Sequence, residues 1–330
     1  MERRVVIRQT ARGLLAAGLV GYLVLRGAID WTTLGGAIAQ PGALASGALL
    51  VAAGLFVTVP RWLLLLRCRG FDISFRDVFR LSAVGLFFSN VIPGATGGDL
   101  VKCYYLARER GRLAEAAASV AVDRAIGMAT LVGIGLVSLA SRPDLVMPGS
   151  DFSRIAWILL GVLGGVLLGA ALLFSRTVRG WRLTRLLLAL PGGRTLGNIH
   201  AAFHAYRSSR GALLAATGLS VLSQCLIVAG FWRLSGSLGA GGISPADALF
   251  VVPVGLSVNA LPITPMGLGV GETAFEWLFR LFGSTMGSEA MLLWRVVVVL
   301  LSLIGLYYYV RGRKGSAPVP KEGDGEGEGC

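Results

Sequence analysis

The sequence predicts an all-α polytopic membrane protein: about six transmembrane helices plus two re-entrant broken-helix hairpins, related as an inverted repeat. Composition, the length of the apolar runs and the placement of the basic residues carry that expectation. Of 330 residues, 54% are hydrophobic and 15% charged, against roughly 25% charged in a soluble domain. Mean hydropathy is +0.70. The formal net charge is +13, an excess that in a soluble chain would suggest nucleic acid. Here the basic residues punctuate long apolar runs, which places them on loops and excludes a nucleic-acid partner. A soluble enzyme, a disordered tail protein and a disulfide scaffold are excluded by the same numbers. Cys68, Cys103, Cys225 and Cys330 form no CxxC pair and indicate neither metal nor disulfides.

A membrane-crossing helix needs about 20 mostly apolar residues. Six segments qualify: roughly 10–28, 42–66, 115–140, 155–175, 211–234 and 289–310. The apolar core of the first, 13–25, follows Arg3, Arg4, Arg8 and Arg12, yet Arg26 rather than a small-residue cleavage site comes after it, so it reads as an uncleaved span. Two more apolar stretches, 76–109 and 244–283, are interrupted at VIPGATGGD and ALPITPMGLGVGE. Proline and clustered glycine end a helix there, and the remaining pieces are too short to cross singly. They are read as hairpins that return to the side they entered. With both re-entrant and the N-terminus cytoplasmic, 22 basic residues fall on cytoplasmic segments (before the apolar core of span one at 13, in 67–80, 108–112, 176–210 and after 310). Only Arg26, Arg142 and Arg154 fall outside. Letting either hairpin cross would flip every later loop and damage this positive-inside bias.

The two broken stretches resemble each other. Val84-Gly85-Leu86 through Asn90 and Pro93 parallels Val254-Gly255-Leu256 through Asn259 and Pro262, and each continues through glycines to an acid, Asp99 or Glu272. Each motif sits in a unit of span, span, hairpin, span. Three crossings per unit invert the second copy, as in many transporters. The expected organisation is one transmembrane domain, 1–315, with repeats at about 10–140 and 155–310 and a disordered cytoplasmic tail at 316–330. The protein is expected in the inner (plasma) membrane with both termini cytoplasmic.

Irregular backbone at membrane depth needs burial in protein or a wet cavity. Half-helices opening near Gly98 and Gly271 suit an anion such as a phosphate. The ionisable residues in the membrane zone are Arg61, Asp99, Lys102, Asp123, Arg124, Arg233, Glu272, Glu276, Arg280 and Arg295. Each costs about 2.5–3.5 kcal/mol at a helix centre on the insertion scale. Arg233, Arg280 and Arg295, near segment ends, read as structural or snorkelling. Asp99, Lys102, Asp123, Arg124 and Glu272, beside the breaks or deep in a span, read as functional. Glu272, Glu276 and Arg280 have the spacing of an i,i+4 ladder. Gly161, Gly165 and Gly169 form a stripe read as a packing face, and 181–210 reads as an amphipathic surface segment. His200 and His204 lack the HExxH glutamate, and no cofactor is expected.

NVIPGATGGDLVK, the later SVAVDR and NALPITPMGLGVGE together resemble the lysylphosphatidylglycerol synthase transmembrane-region family, flippase-like integral membrane proteins. Asn90, Pro93, Gly94, Gly98, Arg124, Pro262, Pro265, Gly267, Gly269 and Glu272 match its pattern. Asp99 and Asp123 stand for glutamates, Lys102 for arginine and Met266 for a glycine. The resemblance implies a lipid-handling domain without the soluble aminoacyl-transferase domain of the bifunctional members, hence no enzyme. The expected function is translocation of a phospholipid or related anionic lipid between leaflets, downhill or ion- or proton-coupled. The expected lipid-binding residues are the matched ones plus Asp99, Lys102, Asp123 and Asn259. A transporter of a small soluble anion and a non-transporting partner of a lipid-modifying enzyme are the rival readings. Homo-oligomers are compatible with each.

Overall fold

In a computed structural model, the structure describes residues 35, 38–91, 97–174, 201–239, 242–260 and 267–311. All regular structure among them is helical. The helices of more than ten residues are α1 Pro41–Arg67, α2 Phe75–Val91, α3 Gly97–Arg110, α4 Leu113–Ala140, α5 Asp151–Phe174, α6 Arg210–Gly236, α7 Pro245–Asn259, α8 Val270–Arg280 and α9 Gly287–Arg311. Five of them (α1, α4, α5, α6, α9) are long and apolar enough to cross a bilayer. They coincide with the predicted spans after the first. That first span, the tail 316–330 and 181–200 of the amphipathic segment lie outside the described residues.

Both broken stretches fold as antiparallel helix pairs. In the first, Gly98 on α3 lies against the backbone of Gly85 and the Ser89 hydroxyl on α2, and the Lys102 side chain runs over Gly85. In the second, the Phe275 ring of α8 fills the notch at Gly255 on α7, and Gly271 faces Asn259. The four half-helices hold 17, 14, 15 and 11 residues, so at 1.5 Å per residue they are about 16–26 Å long. None reaches the roughly 30 Å of a hydrocarbon core.

The first helix of each pair starts the same way. Ser74 and Asp77 cap α2, with the Asp77 N–H donating to Ser74 Oγ at 3.2 Å. Ser244 and Asp247 cap α7 with a reciprocal box, Asp247 N–H to Ser244 Oγ at 3.1 Å and Ser244 N–H to Asp247 Oδ2 at 3.3 Å. Satisfying orphan N–H groups with Ser and Asp fixes where a helix begins. The Ile-Ser-x-x-Asp of 73–77 and 243–247 keeps the same register as the glycine motifs. The internal similarity therefore begins about ten residues earlier than those motifs.

Packing obeys the same two-fold logic. α2 packs on α9, and α7 packs on α4; α3 packs on α4, and α8 packs on α9. Gly305 of α9 meets Ala83 of α2, while Gly135 of α4, at the equivalent position, meets Pro253 of α7. The most extensive interface joins α1 and α6. There Gly47 and Gly54 oppose Gly230 and Ser223 closely enough for a Cβ on either Gly47 or Gly54 to lie 3.0 Å from a facing carbonyl oxygen. Ser223 Oγ donates to the Gly54 carbonyl at 2.8 Å. Small residues let helices approach closely where hydrophobic burial supplies no drive. This seam is glycine-packed; on α5, a Cβ added at Gly161, Gly165 or Gly169 meets nothing within 4 Å among the described residues. α5 instead exposes Trp157, Ile158, Leu167 and Leu168.

Loop contacts sort the molecule into two ends. At one, the Arg112 side chain donates to the carbonyls of Gly70 and Arg69 at 3.2 and 3.0 Å, and Tyr206 donates to the Leu65 carbonyl at 3.0 Å. At the other, Arg142 pairs with Asp247, and Phe282 contacts Phe152 and Phe250. The α2–α3 hairpin begins and ends at the first, arginine-rich end. The α7–α8 hairpin begins and ends at the second.

Candidate functional site

A cavity of about 620 Å³ lies between the first hairpin and helices α1, α4, α6 and α9. Its charged side is built by Arg61, Asp99, Lys102, Asp123 and Arg124. The other walls are mostly apolar, and Leu49, Phe56 and Ile304 carry them out to an exposed surface of the described residues. A set of charges therefore sits at the back of a groove with hydrocarbon-like sides.

Each charge is positioned by the helix that carries it. Arg61, near the C-terminal end of α1, is buried and donates from Nε and Nη2 to the two carboxylate oxygens of Asp123 on α4, at 2.7 and 2.8 Å. Its Nη1 donates to Ser220 Oγ on α6 at 2.9 Å. Thr130 Oγ1 lies 2.6 Å from that hydroxyl. One guanidinium thus ties three helices together at membrane depth, with the fork geometry that suits Arg to carboxylates. Asp99, in the first turn of α3, pairs with Arg124 of α4 and stands 4.0 Å from Lys102 Nζ. Arg124 is the open member, its side chain 51% exposed. The Lys102 ammonium also stands over the Trp62 ring, 5.3 Å from its centroid.

The second hairpin repeats one of these pairs and hides it. Glu272, in the first turn of α8, receives Arg295 of α9 through Nε at 3.0 Å and Nη2 at 2.7 Å. Asp99–Arg124 and Glu272–Arg295 are therefore counterparts, each tying the start of a second half-helix to the following span. Glu272 also accepts from the N–H of Gly269 at 2.7 Å, so its own carboxylate occupies the opening of α8. Arg295 is buried, and its Nη2 also points to the Gly267 carbonyl at 3.4 Å. Gly267 and Gly269 have φ of +69° and +80°, a conformation open to glycine at little cost. The ladder expected from sequence is split: Arg280 pairs with Glu276 at 2.8 Å, and Glu272 turns to Arg295.

Of the residues expected to bind lipid, Asp99, Lys102, Asp123 and Arg124 converge on the cavity. Asn90, Gly98, Asn259, Gly267, Gly269 and Glu272 do not line it. Gly98 sets the close approach within the first hairpin. Asn259 Oδ1 lies beside Gly267 and Gly271, and neither it nor Asn90 Nδ2 has a hydrogen-bond partner among the described residues. Pro93, Gly94, Pro262 and Pro265 lie outside the described residues. Arg61 was absent from that expected set. The signal that could have found it was its depth in α1, about eight residues from the charged end at Arg69, which demanded a carboxylate from another span.

Residues 9–305 match the family described as "Lysylphosphatidylglycerol synthase TM region". The chain is 27% identical over 301 residues to a "UPF0104 membrane protein" of Methanothermobacter thermautotrophicus, covering 82% of this chain and 84% of that protein. It is 22% identical over 265 residues to another UPF0104 membrane protein, from Methanocaldococcus jannaschii, covering 74% and 76%. Multi-pass helices, a paired-hairpin core and a match over nearly the whole span-bearing region lead to one assignment. The chain belongs to the lysylphosphatidylglycerol synthase transmembrane-region family.

Proposed function

We propose that this protein moves a phospholipid with an anionic phosphate headgroup between the leaflets of the inner membrane. The supporting observation is the groove itself: three cations and two carboxylates at the back, mostly apolar walls in front, and an apolar rim formed by Leu49, Phe56 and Ile304. A headgroup seated among charges while its acyl chains stay along hydrocarbon-like walls matches both surfaces at once. Pockets for amphiphiles combine apolar lining with a few placed polar groups in this way.

The hairpins re-enter from opposite faces in this reading, and both termini are cytoplasmic. The 22 basic residues then lie on the positive-inside face, which corresponds to the arginine-rich end of the molecule. The paired hairpins supply two related but unequal environments, with the Asp99–Arg124 pair on the cavity and the Glu272–Arg295 pair closed off. Exchange of those roles between the repeats is the proposed alternation of access. No ATP-binding motif occurs in the sequence, and movement is downhill or coupled to an ion or proton gradient.

Vesicles carrying the purified protein and an acyl-labelled fluorescent phospholipid test this directly. Dithionite added outside should quench the inner-leaflet label within minutes in protein-containing vesicles and slowly in empty ones. Lys102→Ala and Arg124→Ala should each slow the protein-dependent rate by about tenfold or more, the factor for roughly 1.4 kcal/mol. Identical quenching with and without protein, under imposed ion and proton gradients, refutes translocation. Uptake of a labelled soluble anion without lipid movement would favour the solute transporter instead.

A further inference from the structure

The charges around the cavity do not cancel. Among the described residues it is lined by Arg61, Lys102 and Arg124 against Asp99 and Asp123, which leaves one positive charge. The pairing shows where that charge resides. Arg61 has both Asp123 oxygens and the Ser220 hydroxyl. Arg124 has Asp99. Lys102 has Asp99 Oδ1 at 4.0 Å, beyond hydrogen-bond reach, and the face of Trp62. An ammonium carries three donors and no acceptor, and none of the three makes a hydrogen bond to a described residue.

Lys102 is nevertheless held in place. Its stem crosses α2 at Gly85, where a Cβ would stand 2.6 Å from Lys102 Cε, so the absence of a side chain at 85 opens its path. The Trp62 ring supports the ammonium from below by cation–π attraction. The result is a positioned cation with open donors in a cavity whose remaining charges are matched.

Resting on the reading of this groove as a lipid site, we infer that it selects a phosphodiester lipid of net charge −1 whose headgroup is otherwise uncharged, with Lys102 as the specificity-determining residue. One phosphate anion on Lys102 neutralises the cavity. A zwitterionic headgroup brings an extra cation toward Arg124 and Arg61, and an aminoacylated headgroup of net charge +1 raises the local charge further. Like charges in a low-dielectric site repel strongly.

The experiment measures thermal stabilisation of the full chain in a neutral detergent. The probes are dioctanoyl phosphatidylglycerol, dioctanoyl phosphatidylethanolamine, lysylated phosphatidylglycerol (net charge +1) and inorganic phosphate. Stabilisation by a ligand that binds only the folded state follows its concentration over Kd. Phosphatidylglycerol should bind about tenfold or more tighter than the other two lipids. Lys102→Gln should erase that preference, and Lys102→Arg should retain it. Inorganic phosphate alone should stabilise little, since it gains nothing from the apolar walls. Equal stabilisation by all three lipids, a preference for the aminoacylated one, or an unchanged preference in Lys102→Gln overturns the inference. Phosphate matching the lipid assigns the site to a soluble anion and overturns it as well. Selective binding without movement in vesicles would refute translocation and leave this inference standing; movement without selectivity would do the reverse.

Discussion

Asp123→Ala, with Arg61 left in place, should lower the unfolding free energy by about 3–5 kcal/mol, the usual result of stripping one partner from a buried ion pair. The guanidinium is held on both carboxylate oxygens at 2.7 and 2.8 Å, with its side chain only 8% exposed. Removing the carboxylate leaves a charge at membrane depth beside the Ser220 hydroxyl, which can accept a hydrogen bond but cannot neutralise it. Asp123→Ala should also loosen α4 from α1, since the pair bridges those two helices. The double variant Arg61→Leu/Asp123→Leu should recover most of the loss, because replacing a whole buried pair by apolar side chains is often neutral or better. Tm and denaturant midpoints in detergent across the full mutant cycle provide the measurement. Single variants as stable as the parent would show that water reaches Arg61 freely and that the pair is not structural. The rescued double variant should remain impaired in lipid movement, because the charged side of the groove would keep only Asp99, Lys102 and Arg124.

Gly98→Val is expected to break the first hairpin. A Cβ at 98 runs into the carbonyl oxygen of Gly85 and into Ser89 Oγ. Backbone of a packed helix cannot move aside as the tip of a long side chain can. Overpacking typically costs about 1–3 kcal/mol, and this collision with main chain belongs at or above the top of that range. The damage should reach the cavity too, because separating α3 from α2 displaces Asp99 and Lys102 together. Gly161→Val on α5 provides the control: a Cβ there meets nothing within 4 Å among the described residues, so its Tm should stay close to that of the parent. A Gly98→Val protein that melts like the parent and retains its lipid preference would contradict the close approach of the two half-helices.

The hairpins were legible in the sequence because proline and clustered glycine cannot continue a helix, whatever surrounds them. The later five spans were legible because a run of about 20 apolar residues satisfies its own backbone in lipid. The two-fold relation was visible at Val84-Gly85-Leu86 and Val254-Gly255-Leu256. It also lay unread in the Ser-x-x-Asp caps at 74–77 and 244–247. The partners of the charges were a different matter. Arg295 read as structural or snorkelling; it is structural, buried and clamped on Glu272, a partner that no local spacing named. Arg61 carried no motif, although it holds both oxygens of Asp123 and the Ser220 hydroxyl at once.

What the amino-acid sequence determined by itself is the set of helices, their breaks and the inverted plan, since these follow from local rules of backbone satisfaction and hydrophobic length. Tertiary structure alone decided which of two equivalent acids faces the cavity. Asp99 and Glu272 each open a half-helix, and each pairs with an arginine in the next span. Their surroundings differ because the helices around the first hairpin leave a groove, while Glu272 closes its own half-helix and Arg295 is buried behind it. That choice depends on how far apart whole helices stand, a quantity no local pattern of residues encodes.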